Sequence, residues 1–62
     1  MGLHFATTAR GSEVTVTATH VETGTVIVVT QRGDSYKEAR TAAKLEARRQ
    51  LAELTGVPDG DL

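Results

Sequence analysis

Arg32-Gly33-Asp34-Ser35-Tyr36-Lys37-Glu38-Ala39 is the stretch that decides the fold. Before it, apolar residues recur at every second position, the period of a half-buried strand. After it they recur at every third or fourth, the period of a helix. Ser35 followed by Glu38 has the form of a capping box. The serine oxygen would accept from the Glu38 amide, and the glutamate would reach back to the Ser35 amide. Asp34 adds negative charge near the positive end of the helix dipole. The helix is expected from Tyr36 to Thr55, with Gly56 as its left-handed stop and Pro58 beyond.

Upstream of the junction the chain reads as three strands. Leu3 to Arg10 is the first, with Phe5 as its one large anchor, and Arg10-Gly11-Ser12 is a turn. Glu13 to Val21 alternates most cleanly: Val14, Val16 and Ala18 on one face, Thr15, Thr17, Thr19 and Val21 on the other. Threonine suits the wet face because it is β-branched and still hydrogen-bonds water. Glu22-Thr23-Gly24 is the second turn. Thr25 to Gln31 is the third strand, and its run Val26, Ile27, Val28, Val29 is apolar on both faces, as in a strand covered on both sides. Short connections make this an antiparallel meander with the second strand in the middle. The fold class is therefore α+β: a three-stranded antiparallel sheet with one C-terminal helix on one face. Residues 1–56 form one domain and 57–62 a frayed tail.

On a helical wheel Ala39, Ala43, Ala47, Leu51 and Leu54 share one side, with Tyr36 at its entrance, and this stripe should face the sheet. Its alanines allow close approach but bury little area. Lys37, Thr41, Lys44 and Arg48 take the wet side, and Leu45 with Ala52 lies nearly opposite the stripe. A chain of 62 residues buries only about 60% of its unfolded surface, a thin stability margin. With no cysteine, disulfides and thiolate metal sites are excluded. Oligomerisation is the remaining staple. A homodimer through Val26, Ile27, Val28, Val29 and Leu45 is the expected form.

Composition points away from chemistry. The serines are Ser12 in a turn and Ser35 at a helix start, and a catalytic serine would need a histidine base within hydrogen-bond reach. His4 and His20, in neighbouring strands, could approach one sheet face, but surface or sheet-edge positions are the ordinary reading. A metal site would need more ligands than Glu22 adds. Glu46 with Glu53, and Asp59 with Asp61, do not read as acid–base pairs. The expectation is a non-enzymatic module without cofactor or metal. No apolar run approaches the ~20 residues of a membrane span, and Met1-Gly2-Leu3-His4-Phe5 lacks the start of a secretory signal. The expected location is the cytoplasm.

The formal net charge is −1, so no global field draws the chain to nucleic acid. With Phe5 and Tyr36 as its only aromatics, the chain lacks a base-stacking platform. What it has is local: Lys37, Arg40, Lys44 and Arg48 line the helix at spacings that place cations along one side. These are the candidate contacts to a phosphate backbone, of RNA or DNA. The alternative is a solvated face balanced by Glu38, Glu46 and Glu53.

Ser35-Tyr36-Lys37-Glu38-Ala39-Arg40-Thr41-Ala42-Ala43 resembles the C-terminal part of double-stranded-RNA-binding domains. There a Ser-Lys-Lys-x-Ala-Lys helix start follows a three-stranded sheet. Tyr36 stands where that family has the first lysine. The resemblance implies that Lys37 and Arg40 touch phosphate. Gly33-Asp34-Ser35 with Glu38-Ala39 also resembles the strand-to-helix corner of HicB-type antitoxins, which bind a small RNA-cleaving toxin. That likeness implies a protein partner instead, met by the exposed sheet face and edge strand, as in an antitoxin or a phage-encoded inhibitor. The arm-binding domains of phage-type integrases are similar in outline, but they read DNA with sheet arginines, where this sheet has threonines. Clean caps and turns also fit a designed scaffold without a ligand.

Overall fold

The computed structural model describes residues 2–58 and Gly60. Its element order is β1 (Leu3–Arg10), β2 (Glu13–His20), β3 (Thr25–Arg32) and α1 (Tyr36–Thr55). The strands form an antiparallel three-stranded meander in the order β1-β2-β3, and α1 returns across one face. This is the α+β arrangement expected from the sequence. Of the tail, only Val57, Pro58 and Gly60 fall within the described residues, so the reading of 57–62 as frayed lies mostly outside them.

Turn chemistry sets the register. Arg10 pairs with Glu13, leaving Gly11-Ser12 as a two-residue hairpin loop. Gly11 has φ +65°, and among the described residues only glycines have positive φ, the φ pattern of a II′ turn with glycine first. His20 pairs with Thr25 across a four-residue loop, Val21 to Gly24. That loop is closed by the Gly24 amide donating to the His20 carbonyl at 2.8 Å. Val21 therefore leaves β2 for the turn and is 63% exposed. It does not extend the threonine face.

Alternation then assigns the faces. Val14, Val16, Ala18 and His20 of β2 point at the helix and are buried, whereas Thr15, Thr17 and Thr19 point to the open face. In β3, Ile27 and Val29 share the helix side of Ala18 and Val16, their register partners. Ala39, Ala43, Ala47 and Leu51 complete a core with Val14, Val16, Ala18 and Val29; Leu3, Phe5 and Ile27 pack around its margin. The third strand is thus covered on one side only. Val26 and Val28 stand on the open face, 53% and 62% exposed.

The junction works largely as its residues dictate. Ser35 has extended backbone (φ −146°, ψ 162°) and its Oγ accepts from the Glu38 amide at 3.2 Å. The reciprocal half of the expected box is not formed: among the described residues the Glu38 carboxylate makes no bond to the Ser35 amide. A Cβ on Gly33 would come within 3.0 Å of the Ala39 amide nitrogen, so glycine lets the helix start fold tightly against the strand end. At the other end Gly56 (φ 74°) turns left-handed and donates to the Ala52 carbonyl at 3.0 Å. Ser35→Ala removes the one side-chain cap at the helix N-terminus. A loss of about 1 kcal/mol is expected, read as a shift in the urea midpoint at unchanged slope.

The apolar stripe of the helix needs one correction. Leu51 is fully buried, but Leu54 is 66% and Tyr36 44% exposed. A helix of 20 residues runs about 30 Å, while eight-residue strands span ~27 Å and cross beneath it. The ends of the stripe point the right way but have no sheet opposite them.

Candidate nucleic-acid interface

The helix does not sit centrally on the sheet. It packs against β2 and β3 and has no comparable contact with β1. The helix-side face of β1 therefore stays largely open: Leu3 and Phe5 are half-buried and Thr7 and Ala9 exposed. The result is a shelf, with β1 as its floor and one flank of α1 as its wall.

The composition of that wall follows from helical periodicity. Lys44 Nζ lies 5.3 Å from the centre of the Phe5 ring, which fixes the Lys44 flank as the one facing β1. Lys37, Arg40 and Arg48 fall within about a quarter-turn of Lys44 at 100° per residue. Arg40, near the sheet-facing stripe, stands over the Tyr36 ring at 5.9 Å. Cation–π contacts of this kind orient a cation while leaving its outer N–H groups for a ligand. Successive cations at four-residue steps advance about 6 Å along the axis.

The opposite flank is different in kind. Arg49 donates through Nε to Glu46 at 3.2 Å and through a terminal nitrogen to Glu53 at 2.9 Å, and Gln50 donates to Glu46 at 2.8 Å. Arg49 hydrogen bonding, with Gln50 in support, lowers the Glu46 carboxyl below the usual carboxylate range. The same bond raises Arg49. A carboxyl lowered in the folded state contributes above its unfolded pKa and loses that contribution as pH falls through its folded value. This ladder therefore holds at neutral pH and opens only in acid.

The cations of the helix and its approach thus divide into two classes. Arg49 is held by Glu46 and Glu53, and Arg32 by Glu13 at 3.0 Å. Among the described residues, Lys37, Arg40 and Lys44 form no ion pair with a carboxylate. Arg48 continues their row and has an interaction of its own. The four sequence candidates are therefore brought to one flank, and three of them are left without an acidic partner. Phe5, Tyr36, Thr7 and Ala9 belong to the same surface and were not among the candidates. Nothing in the strand pattern says over which strands a helix will lie, so their proximity had no signal in the sequence.

The residues assigned to self-association are not brought together. Val29 is 6% exposed and Ile27 packs at the core margin, because parity turns both toward the helix. Val26 and Val28 lie on the open sheet face, and Leu45 (63% exposed) lies on the far side of the helix. The histidines also part. His4 pairs with Thr19 and Leu3 with His20, so the two rings point to opposite faces. The two-residue turn already implies this parity. His20 is buried at 4% exposure. Its Nδ1 hydrogen-bonds the Thr23 hydroxyl at 2.9 Å, which meets the Thr25 hydroxyl at 2.8 Å, so the ring braces the second turn. No three metal-ligating side chains converge among the described residues, and none of the described helices is long and apolar enough to cross a membrane. Compared with protein-family models, with curated proteins and with solved structures, the chain matches none.

Proposed function

We propose that this chain is a non-enzymatic module that binds a nucleic-acid phosphate backbone through the β1-facing flank of α1. The observation that carries the reading is the division of the cations. Among the described residues Lys37, Arg40 and Lys44 stand without acidic partners on one flank, while Glu46 and Glu53 are drawn to the other by Arg49. Lys37 to Lys44 spans about 10 Å of helix axis, and a strand of duplex offers a charge every ~3.4 Å. Three phosphates are within reach of this row, and the open floor of β1 leaves room for the backbone to approach. With Phe5 and Tyr36 as the only aromatics, the reading is one of contacts to the backbone, which position a protein without specifying sequence.

A mobility-shift assay at low salt tests this, using the intact chain with ~20-base-pair RNA and DNA duplexes of unrelated sequence. Retardation of both, lost as salt rises, is expected. Absence of retardation at protein concentrations up to the millimolar range contradicts the reading.

A further inference from the structure

We infer that β3 is a self-association edge, and that two copies pair β3 to β3 antiparallel about a two-fold axis to make one six-stranded sheet. The inference is independent of the phosphate reading, since it uses the opposite flank of the helix.

The edge comes first. β3 hydrogen-bonds β2 on one side only, so alternate backbone groups along its outer side face solvent. Natural edge strands are blunted by proline, lysine, bulges or short length. Thr25–Arg32 has eight residues and an unbroken Val26-Ile27-Val28-Val29 run, with neither proline nor lysine. The other edge, β1, carries His4, Thr7, Thr8 and Arg10 and no comparable aliphatic run. Val26 and Val28 are exposed on β3 itself, where a second β3 would lay its own valines beside them as cross-strand neighbours.

The helix supplies a geometric argument. α1 straddles β2 and β3, so its axis lies about one strand spacing, ~4.8 Å, from an axis drawn just outside β3. A two-fold there sets the two helices ~10 Å apart, at the 8–10 Å of packed helices. The flanks that would meet carry Ala42, Glu46, Arg49 and Glu53. Ala42 is small and exposed, and the charges alternate in sign along the helix. Antiparallel helices can therefore set Arg49 of one copy against Glu46 or Glu53 of the other. A small stable interface takes roughly 600 Å² from each partner, about a seventh of the 4029 Å² surface of one chain. The pairing closes on itself, as an isologous contact must, and leaves both basic flanks facing outward.

Sedimentation equilibrium of the intact chain from micromolar to millimolar concentration is the first test. The weight should rise from 6.6 kDa to twice that value. The double variant Val26→Lys, Val28→Lys should stay at the monomer weight throughout, since both positions are exposed in the single chain. If that variant proves unfolded by circular dichroism, cross-linking decides instead. The chain has no cysteine, so Val28→Cys treated with diamide reports directly on strand proximity. Opposed antiparallel positions meet disulfide geometry. A two-fold pairing sets a residue against its own copy only on the axis, so cross-linked dimer is expected from an equal mixture of the Val26→Cys and Val28→Cys chains, or from one of them alone, but not from the β1 control Thr8→Cys. A wild-type chain that stays monomeric at millimolar concentration overturns the inference. So does a dimer that survives both lysines, or one that cross-links through Thr8→Cys.

Discussion

Leu51→Ala is expected to lose about 2–5 kcal/mol of stability, the range for leucine-to-alanine changes in closed cores. A domain of this length holds roughly 3–9 kcal/mol in total, so much of the margin goes in one substitution. Leu51 is the largest fully buried side chain and, among the helix residues of the core, the only one larger than alanine. Its neighbours Ala43 and Ala47 cannot expand to fill the space, and the valines of β2 are fixed in a paired strand. Thermal unfolding by circular dichroism at fixed protein concentration should show the midpoint fall by roughly 8–40 °C, at ~4–8 °C per kcal/mol. Leu54→Ala, three residues on and 66% exposed, should change stability by less than about 0.5 kcal/mol. Equal losses at the two positions would mean that the helix is seated differently on the sheet.

The second large effect separates the two classes of cation. Lys37→Gln with Lys44→Gln, and Arg32→Gln with Arg49→Gln, each remove two positive charges and bring the formal net charge from −1 to −3. Net charge alone makes them equivalent. The structure does not: Arg32 and Arg49 already hold carboxylates, and among the described residues Lys37 and Lys44 hold none. Removing two phosphate contacts should lower the log–log salt slope of duplex binding by about 1.8, and affinity at 50 mM salt should fall at least tenfold. The paired set should leave the slope nearly unchanged. Adding Arg40→Gln to the first pair should take the slope loss to ~2.7. Titration by fluorescence anisotropy at several salt concentrations reads all three. Equal loss from both pairs would reduce the effect to overall charge.

Much of the fold was legible because the relevant signals are local. The alternation of Val14, Val16 and Ala18 and the Ser35–Glu38 spacing follow from periodicity and capping. The Gly56 stop follows from backbone preference. None depends on distant contacts. Where the reading departed from the structure, the deciding facts were non-local. A wheel places Leu54 on the sheet-facing side but does not say where the sheet ends. Four apolar residues in β3 imply two covered faces, yet among the described residues one α-helix is there to cover them. Glu38 has the right spacing for the second half of the capping box, but spacing does not choose a rotamer. The candidate site was half legible. The row of Lys37, Arg40, Lys44 and Arg48 is a matter of helical spacing. That α1 shifts toward β3 and opens β1 is a property of packing.

The allocation of the helix flanks is the centre of this account, and amide chemical-shift mapping addresses it residue by residue. With the ¹⁵N-labelled chain titrated with a short RNA duplex in low salt, the amides of Lys37, Arg40, Lys44, Thr7 and Ala9 should move together. Those of Glu46, Arg49 and Glu53 should not. Shifts centred instead on Thr15, Thr17, Val26 and Val28, or no shifts at saturating duplex, would contradict it.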